Sequence, residues 1–237
     1  MKKIKSQTIE DHYSLMIYGI PKIGLTEIAS QATGSILYLN LKDDVSKLNC
    51  INVSISNWLD FLSVGNDIVN GKYKFNTIVL GHIEDLWEYL CNHITEKFNL
   101  ENGTSAQNIS ELSYGEWRRA LNVFENKLKK FLSLGNMILL SHELTELRNI
   151  RGVERTHFLA NIERKAQLIV LNLVDAIGRL YTSEQDLRVL SFIPKENQIT
   201  GSRIIALLKK NYVIRTDERP EFYSDLKKDS IEIRRAS

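Results

Sequence analysis

The sequence predicts an α/β fold with a mainly parallel central sheet, flanking helices and a late antiparallel hairpin. Three observations carry this. Near-continuous apolar runs at 14–18, 36–41, 76–80 and 136–141 suit strands buried on both faces of a parallel sheet. Segments with helical spacing follow them, at 26–32, 57–69, 84–98 and 114–134. Finally AIGRLYT, SEQD and LRVLSFI, from 176 to 193, read as two strands joined by a four-residue connection.

SLMIY at 14–18 leads into Gly19, and the apolar positions of 26–32 follow directly. ILYLNL at 36–41 and NTIVL at 76–80 flank the helical pattern of 57–69. In 114–134, Trp117, Leu121, Phe124, Leu128, Phe131 and Leu132 recur every three or four residues and mark one apolar face. Repeated strand–helix–strand order implies right-handed crossovers and helices on both faces of the sheet. Residues 99–113 are polar with little periodicity and read as a loop. From these boundaries we expect a tail at 1–12, one domain at 13–214, and a charged, peripheral segment at 215–237.

Composition narrows the function classes. The 237 residues are 43% hydrophobic and 25% charged, ordinary for a globular chain able to bury a large core. A formal net charge of +2 excludes overall basicity as a source of nucleic-acid affinity, which would need a local patch. Cys50 and Cys91 lie far apart without metal-ligand spacing and read as reduced, buried thiols. The polar N-terminus and the lack of an apolar run near 18 residues lead us to expect a cytoplasmic protein, with no membrane partner.

The chemistry-bearing stretch is MIYGIPKIGLTEIA, residues 16–29. A phosphate-binding loop joins a strand to a helix through glycines, so that backbone N–H groups and the helix dipole face an anion. A lysine then adds charge at the outer phosphates and a Ser/Thr hydroxyl holds magnesium. Gly19, Gly24 and Thr26 fit that spacing, but Leu25 stands where the lysine belongs. The two glycines serve either a tight turn alone or a residual nest for an anion.

YGIPKIGLTEIA resembles the opening of the phage RecA-like P-loop nucleotide-binding proteins of the recombination and annealing group, approximately Y-G-x-P-K-x-G-K-[ST]-x-x-A. The resemblance extends over roughly residues 13 to 210. SILYLNLKDD is similar to their second strand, and FNTIVLGHIEDLWEYLC to their Walker B strand and following helix. LSYGEWRRALNVFENKLKKFLSLGNMILLSHE is similar to their long helix, central strand and sensor segment, and GSRIIAL to a late basic segment.

The resemblance implies a RecA-like P-loop fold and a nucleotide site formed by Gly19, Lys22, Gly24, Leu25 and Thr26. It also locates three departures. Leu25 replaces the P-loop lysine; Lys22 is no simple substitute, because the family often has a lysine there as well. Gly81 stands where the Walker B aspartate orients magnesium, and Lys42 where a glutamate activates water, with Asp43 and Asp44 one and two positions late. Phosphate charge, metal and nucleophile are separate tasks, and losing one electrostatic contact costs roughly a hundred- to a thousandfold in rate. The chain therefore reads as a pseudo-ATPase that holds ATP or ADP weakly, with magnesium in doubt.

Ser141, His142 and Glu143 end a central strand; they are either a polar strand end or, by the resemblance, a sensor coupled to a DNA-facing loop. That loop supplies Arg148, Arg151 and Arg155 as candidate contacts to single-stranded DNA, although interleaved glutamates also suit a solvated mixed-charge face. Arg203 is a surface arginine or a finger acting in trans on a neighbouring subunit's nucleotide. His82 reads as structural, and Trp58, Trp87 and Trp117 as core or interface.

Three functions follow as expectations. The first is a non-hydrolysing protein of phage-type DNA recombination, annealing or repair, located in the host cytoplasm if viral. It would act as a homo- or hetero-oligomer with RecA-like subunits, or as a single-stranded DNA partner. The second is an active or weakly active DNA-dependent ATPase that recruits Lys22, Lys42, Asp43 or Glu84. The third is a structural or regulatory protein that binds neither nucleotide nor DNA.

Overall fold

The strand β1 (Ser14–Gly19) is buried at every position and lies between two parallel neighbours, β5 (Asn136–Ile150) and β7 (Ala176–Thr182). The computed structural model describes residues 12–43, 45–46, 48–150, 152–216 and 218–226. Beyond β5 the sheet continues through β4 (Thr77–Leu80) and β2 (Ile36–Asn40) to β3 (Ile51–Ser54), all parallel. Beyond β7 it continues antiparallel through β8 (Arg188–Ser191) to β10 (Asn211–Ile214), and the two-residue β9 (Gly201–Ser202) pairs antiparallel with the start of β7. The expected mainly parallel sheet with a late hairpin is thus the observed one. Ser14 fixes where β1 begins: its N–H and hydroxyl both donate to Asp175 Oδ2, at 2.8 and 2.6 Å.

Period-two alternation explains why these strands read as unbroken apolar runs, since each face carries its own core. Met16, Tyr18, Leu37, Leu39, Ile78, Leu80, Met137 and Leu139 face one layer. That layer consists of α2 (Trp58–Val69), α3 (Ile83–Asn102), α4 (Tyr114–Leu132) and α5 (Arg164–Leu173). Its interior is aromatic: Phe61 stacks on Phe131 with ring centroids 4.1 Å apart, and Trp87 meets both Trp117 and Phe124 edge-on.

Leu15, Ile17, Ile36, Tyr38, Val79, Ile138 and Leu140 face the opposite layer. α1 (Leu25–Ser30) lies there, but its six residues are too few to cover the sheet. The remainder is covered by residues 220–226, where Phe222, Tyr223 and Leu226 are buried and Tyr223 donates its hydroxyl to the Ile28 carbonyl at 2.8 Å. The segment from 215, read as charged and peripheral, is therefore anchored by its aromatic residues as far as 226. The tail 1–11 and residues 227–237 lie outside the described part.

The stretch after β5 also differs from the expected basic loop. β5 runs on to Ile150 and pairs antiparallel with β6 (Val153–Ala160), from Glu143↔Ala160 to Ile150↔Val153. Gly152, at φ 82, adopts the left-handed conformation such a tight reversal needs, and its N–H donates to Asn149 Oδ1. α5 follows, with the Glu163 carboxylate accepting from the N–H groups of Lys165 and Ala166. The polar 99–113 stretch is loop only in part, because α3 extends to Asn102 and a 3₁₀ turn spans Ile109–Glu111.

Phe222→Ala tests the anchoring of the second face. Phe222 has no exposed surface, so we expect a loss of about 3–5 kcal/mol in the free energy of unfolding, read from urea midpoints.

Candidate functional site

The loop between β1 and α1 has the geometry of a phosphate turn. Gly19 passes so close to β7 that an added Cβ would lie 2.5 Å from the Leu180 carbonyl oxygen. Gly24 takes φ 101 as the N-terminal cap of α1, and Lys22, exposed, takes φ 67. Ile23 and Leu25 turn inward and join the core beneath α1, at 8% and 5% exposure. Position 25 is thus a core position here, with its side chain withdrawn from the mouth of the loop. Thr26 is half-buried at the start of the helix, next to the phenol of Tyr38.

From Tyr38 a polar network crosses the strand ends. Tyr38 donates its hydroxyl to Asp43 Oδ2 at 2.6 Å, and His82 Nε2 lies 2.6 Å from Asp43 Oδ1. Asn40 fixes the Asp43 backbone, accepting from its N–H and donating to its carbonyl. His82, itself at φ 51, stacks on His142 with centroids 3.9 Å apart and planes 11° apart. Glu84 Oε1 accepts from the His142 N–H and lies 2.9 Å from His142 Nδ1 and 3.5 Å from His82 Nδ1. The donor atoms of His82, Glu84 and His142 all fall within 4.8 Å of one another, a spacing able to hold a cation.

Gly81 acquires its meaning here. A Cβ at 81 would collide with Asp43 Oδ2 and lie 2.9 Å from the Tyr38 hydroxyl. The space beside the end of β4 is filled by a carboxylate arriving from the turn after β2. The charges in this network set one another. Burial alone would lower the His82 pKa, but its contacts with Asp43 and Glu84 outweigh burial and push it up to about 10. Burial alone would raise Glu84, but the hydrogen-bonded His142 and the neighbouring His82 imidazole bring it down to about 2. For Asp43, hydrogen bonds from His82 and Tyr38 likewise overcome burial and lower its pKa, while burial and the Asp43 charge raise that of Tyr38.

The other residues singled out from sequence go to several places. Lys42 turns away from the loop: its ammonium meets Asp85 at 2.5 Å and Glu88 at 3.4 Å on the outer side of α3. Ser141 is buried and accepts from the Asn161 N–H. Glu143 is occupied by Arg179, which donates through Nε at 2.7 Å and Nη2 at 3.1 Å and lies 3.5 Å from the Phe158 ring centroid. Arg148 and Arg155 sit opposite each other on the hairpin, and each has a carboxylate partner, Glu146 and Glu196 respectively. Arg151 lies outside the described residues. Arg203 donates to the carbonyls of Asn172 and Val174 at the end of α5, near where β7 begins and at the opposite sheet edge from the loop.

Two features escaped the sequence reading. Arg188 of β8 reaches the loop, bridging Glu27 of α1 with contacts of 2.7 and 3.3 Å and approaching the Ile23 carbonyl at 3.4 Å. No local pattern announces a contact across 161 residues. His82 and Glu84, two apart after an apolar strand, did offer a signal, but only the register of β4 against β5 reveals their partner His142.

A parallel sheet with a glycine turn leading from its central strand into a helix defines a P-loop NTPase-type α/β protein. Residues 11–204, well over half the chain, match the family described as AAA domain, and the chain belongs to that family. No curated protein matches it. Among the described residues no helix is long and apolar enough to cross a membrane.

Gly81→Ala should lower stability by about 1–3 kcal/mol in urea unfolding, because the Asp43 carboxylate cannot move without leaving Tyr38 and His82. Glu143→Ala should cost about 3 kcal/mol or more by the same measurement, since Arg179 would keep a largely buried charge without its partner.

Proposed function

We propose that the chain is a non-hydrolysing member of this P-loop group that acts in phage-type DNA recombination, annealing or repair. It would work as a subunit among RecA-like proteins or as a partner of single-stranded DNA, holding ATP or ADP weakly through the backbone of the loop. The observation that carries the loss of hydrolysis is Leu25, buried in the core at 5% exposure where phosphate charge would be needed. Lys42 offers no replacement, being tied to Asp85. Lys22 is exposed on the loop and remains a candidate phosphate contact.

Support for the DNA role comes from the β5–β6 hairpin. It grows directly out of the strand end that holds Ser141, His142 and Glu143, and it sets Arg148 across from Arg155. A nucleotide-side change at His142 would therefore be continuous, along one strand, with the arginine pair. Arg203, engaged with the end of α5, would have to leave its carbonyl partners to act in trans.

One observation favours a weakly active ATPase as the second reading: Asp43 places a carboxylate at the space the Gly81 side chain leaves free. Phosphate release with and without magnesium and single-stranded DNA separates the two. We expect no turnover above background in any arm; DNA-stimulated, magnesium-dependent release abolished by Asp43→Asn would establish the second reading instead. Calorimetry with ATP and ADP should give weak binding indifferent to magnesium. For DNA, labelled single strands should bind with a salt dependence whose log–log slope falls by about 1.4 in an Arg148→Ala/Arg155→Ala variant, for two phosphate contacts at about 0.7 each. No binding at low salt would leave the structural or regulatory role.

A further inference from the structure

We propose that His82, Glu84 and His142 form a binding site for a divalent transition metal of the zinc class, with Asp43 as the outer carboxylate that orients His82. This goes beyond the nucleotide reading and does not depend on it, since no residue of the phosphate loop takes part.

Four observations converge. The donor set is two imidazoles and one carboxylate, which suits zinc and its neighbours and not magnesium, an oxygen-seeking ion. The spacing fits as well. Two ligands about 2.1 Å from a tetrahedral metal lie about 3.4 Å apart, and Glu84 Oε1 stands 2.9 Å from His142 Nδ1 and 3.5 Å from His82 Nδ1. The two rings stack with their planes 11° apart, so binding one ion requires the imidazoles to tilt away from each other until both Nδ1 lone pairs meet it.

The third observation is an unmet need. His82 Nδ1 is buried, on a side chain only 8% exposed, and has no hydrogen-bond partner; Glu84 Oε2 is buried and equally without one. Buried polar atoms left unsatisfied call for an explanation such as an ion. Both belong to residues of the proposed ligand set.

The fourth is the surrounding support. His82 Nε2 is committed to Asp43 Oδ1 at 2.6 Å, and Asp43 is fixed in turn by Tyr38 and Asn40. A carboxylate behind a ligating imidazole fixes its tautomer and its ring, leaving the other nitrogen for the metal. The metal takes the place of the Nδ1 proton, which is released to solvent. Solvent reaches the cluster at His142, whose side chain is 35% exposed. Bound there, the ion would tie the end of β4 and the start of α3 to the root of the β5–β6 hairpin.

The test uses the full chain, stripped with a chelator and titrated with zinc chloride by calorimetry. Cobalt(II) in place of zinc supplies a visible spectrum that reports nitrogen ligation and tetrahedral geometry. We expect one equivalent bound and a tetrahedral cobalt spectrum. His142→Ala and Glu84→Gln should each weaken zinc at least tenfold with an unchanged far-UV circular dichroism spectrum. Asp43→Asn should keep the stoichiometry and weaken binding about 10–100-fold, and His93→Ala on α3 should change nothing. The assignment fails if the natural chain binds no stoichiometric zinc, or if magnesium chloride reproduces the titration. It also fails if both ligand variants retain full affinity. Should a ligand variant misfold, the cobalt spectrum of the natural chain decides alone: an octahedral, oxygen-ligated spectrum overturns the site.

Discussion

The parallel register of β1 against β5 is the constraint on which the rest of the molecule depends. Met16 pairs with Leu139 and Gly19 with His142, while β4 is held against the other edge of β5 with Leu80 opposite Leu139. Three strand ends therefore arrive at one level. The glycine turn, Gly81 with His82, and Ser141 with His142 become neighbours although more than a hundred residues separate the first from the last. A slip of one residue would reverse every side chain on a strand buried on both faces, so hydrophobic burial enforces the alignment. The site follows from that alignment.

What gathers at this level is a problem of charge. Asp43 and Glu84 are both held ionised in largely buried surroundings, an arrangement that stands only with a compensating cation or hydrogen-bond donors. In a working P-loop ATPase the compensation comes from lysine and magnesium. Here position 25 contributes to the core, and the nearest positive group in the network is the His82 imidazole, with His142 stacked upon it. Asp43 and Glu84 are balanced here by Tyr38, His82 and His142.

The two faces of the sheet are unequal. Four helices, three of them interlocked by aromatic rings, cover one face; the six-residue α1 and the segment up to Leu226 cover the other. Arg188 reinforces the thin side by bridging β8 to α1 through Glu27, directly against the loop. Stability on this face and the shape of the phosphate turn are therefore coupled through one ion pair.

Much of this was legible in the chain. The four apolar runs gave the main parallel strands, because strands buried on both faces leave a continuous apolar trace. The helical spacing of 57–69, 84–98 and 114–134 located α2, α3 and α4. β3, with its exposed INVS sequence, and the β5–β6 hairpin were not legible, because exposed strands carry mixed polar residues and no burial pattern. α5 was likewise hidden in a charged stretch. By itself the sequence determined the order of the four main parallel strands and of α2, α3 and α4, the glycine turn and the absence of the lysine, all properties of local residue type. Only the tertiary structure decided that Leu25 is core, that Asp43 fills the space at Gly81, and that His82, Glu84 and His142 share one site. Those outcomes depend on which strands lie side by side and in what register, and no local stretch of sequence encodes a distance between residues so far apart in the chain.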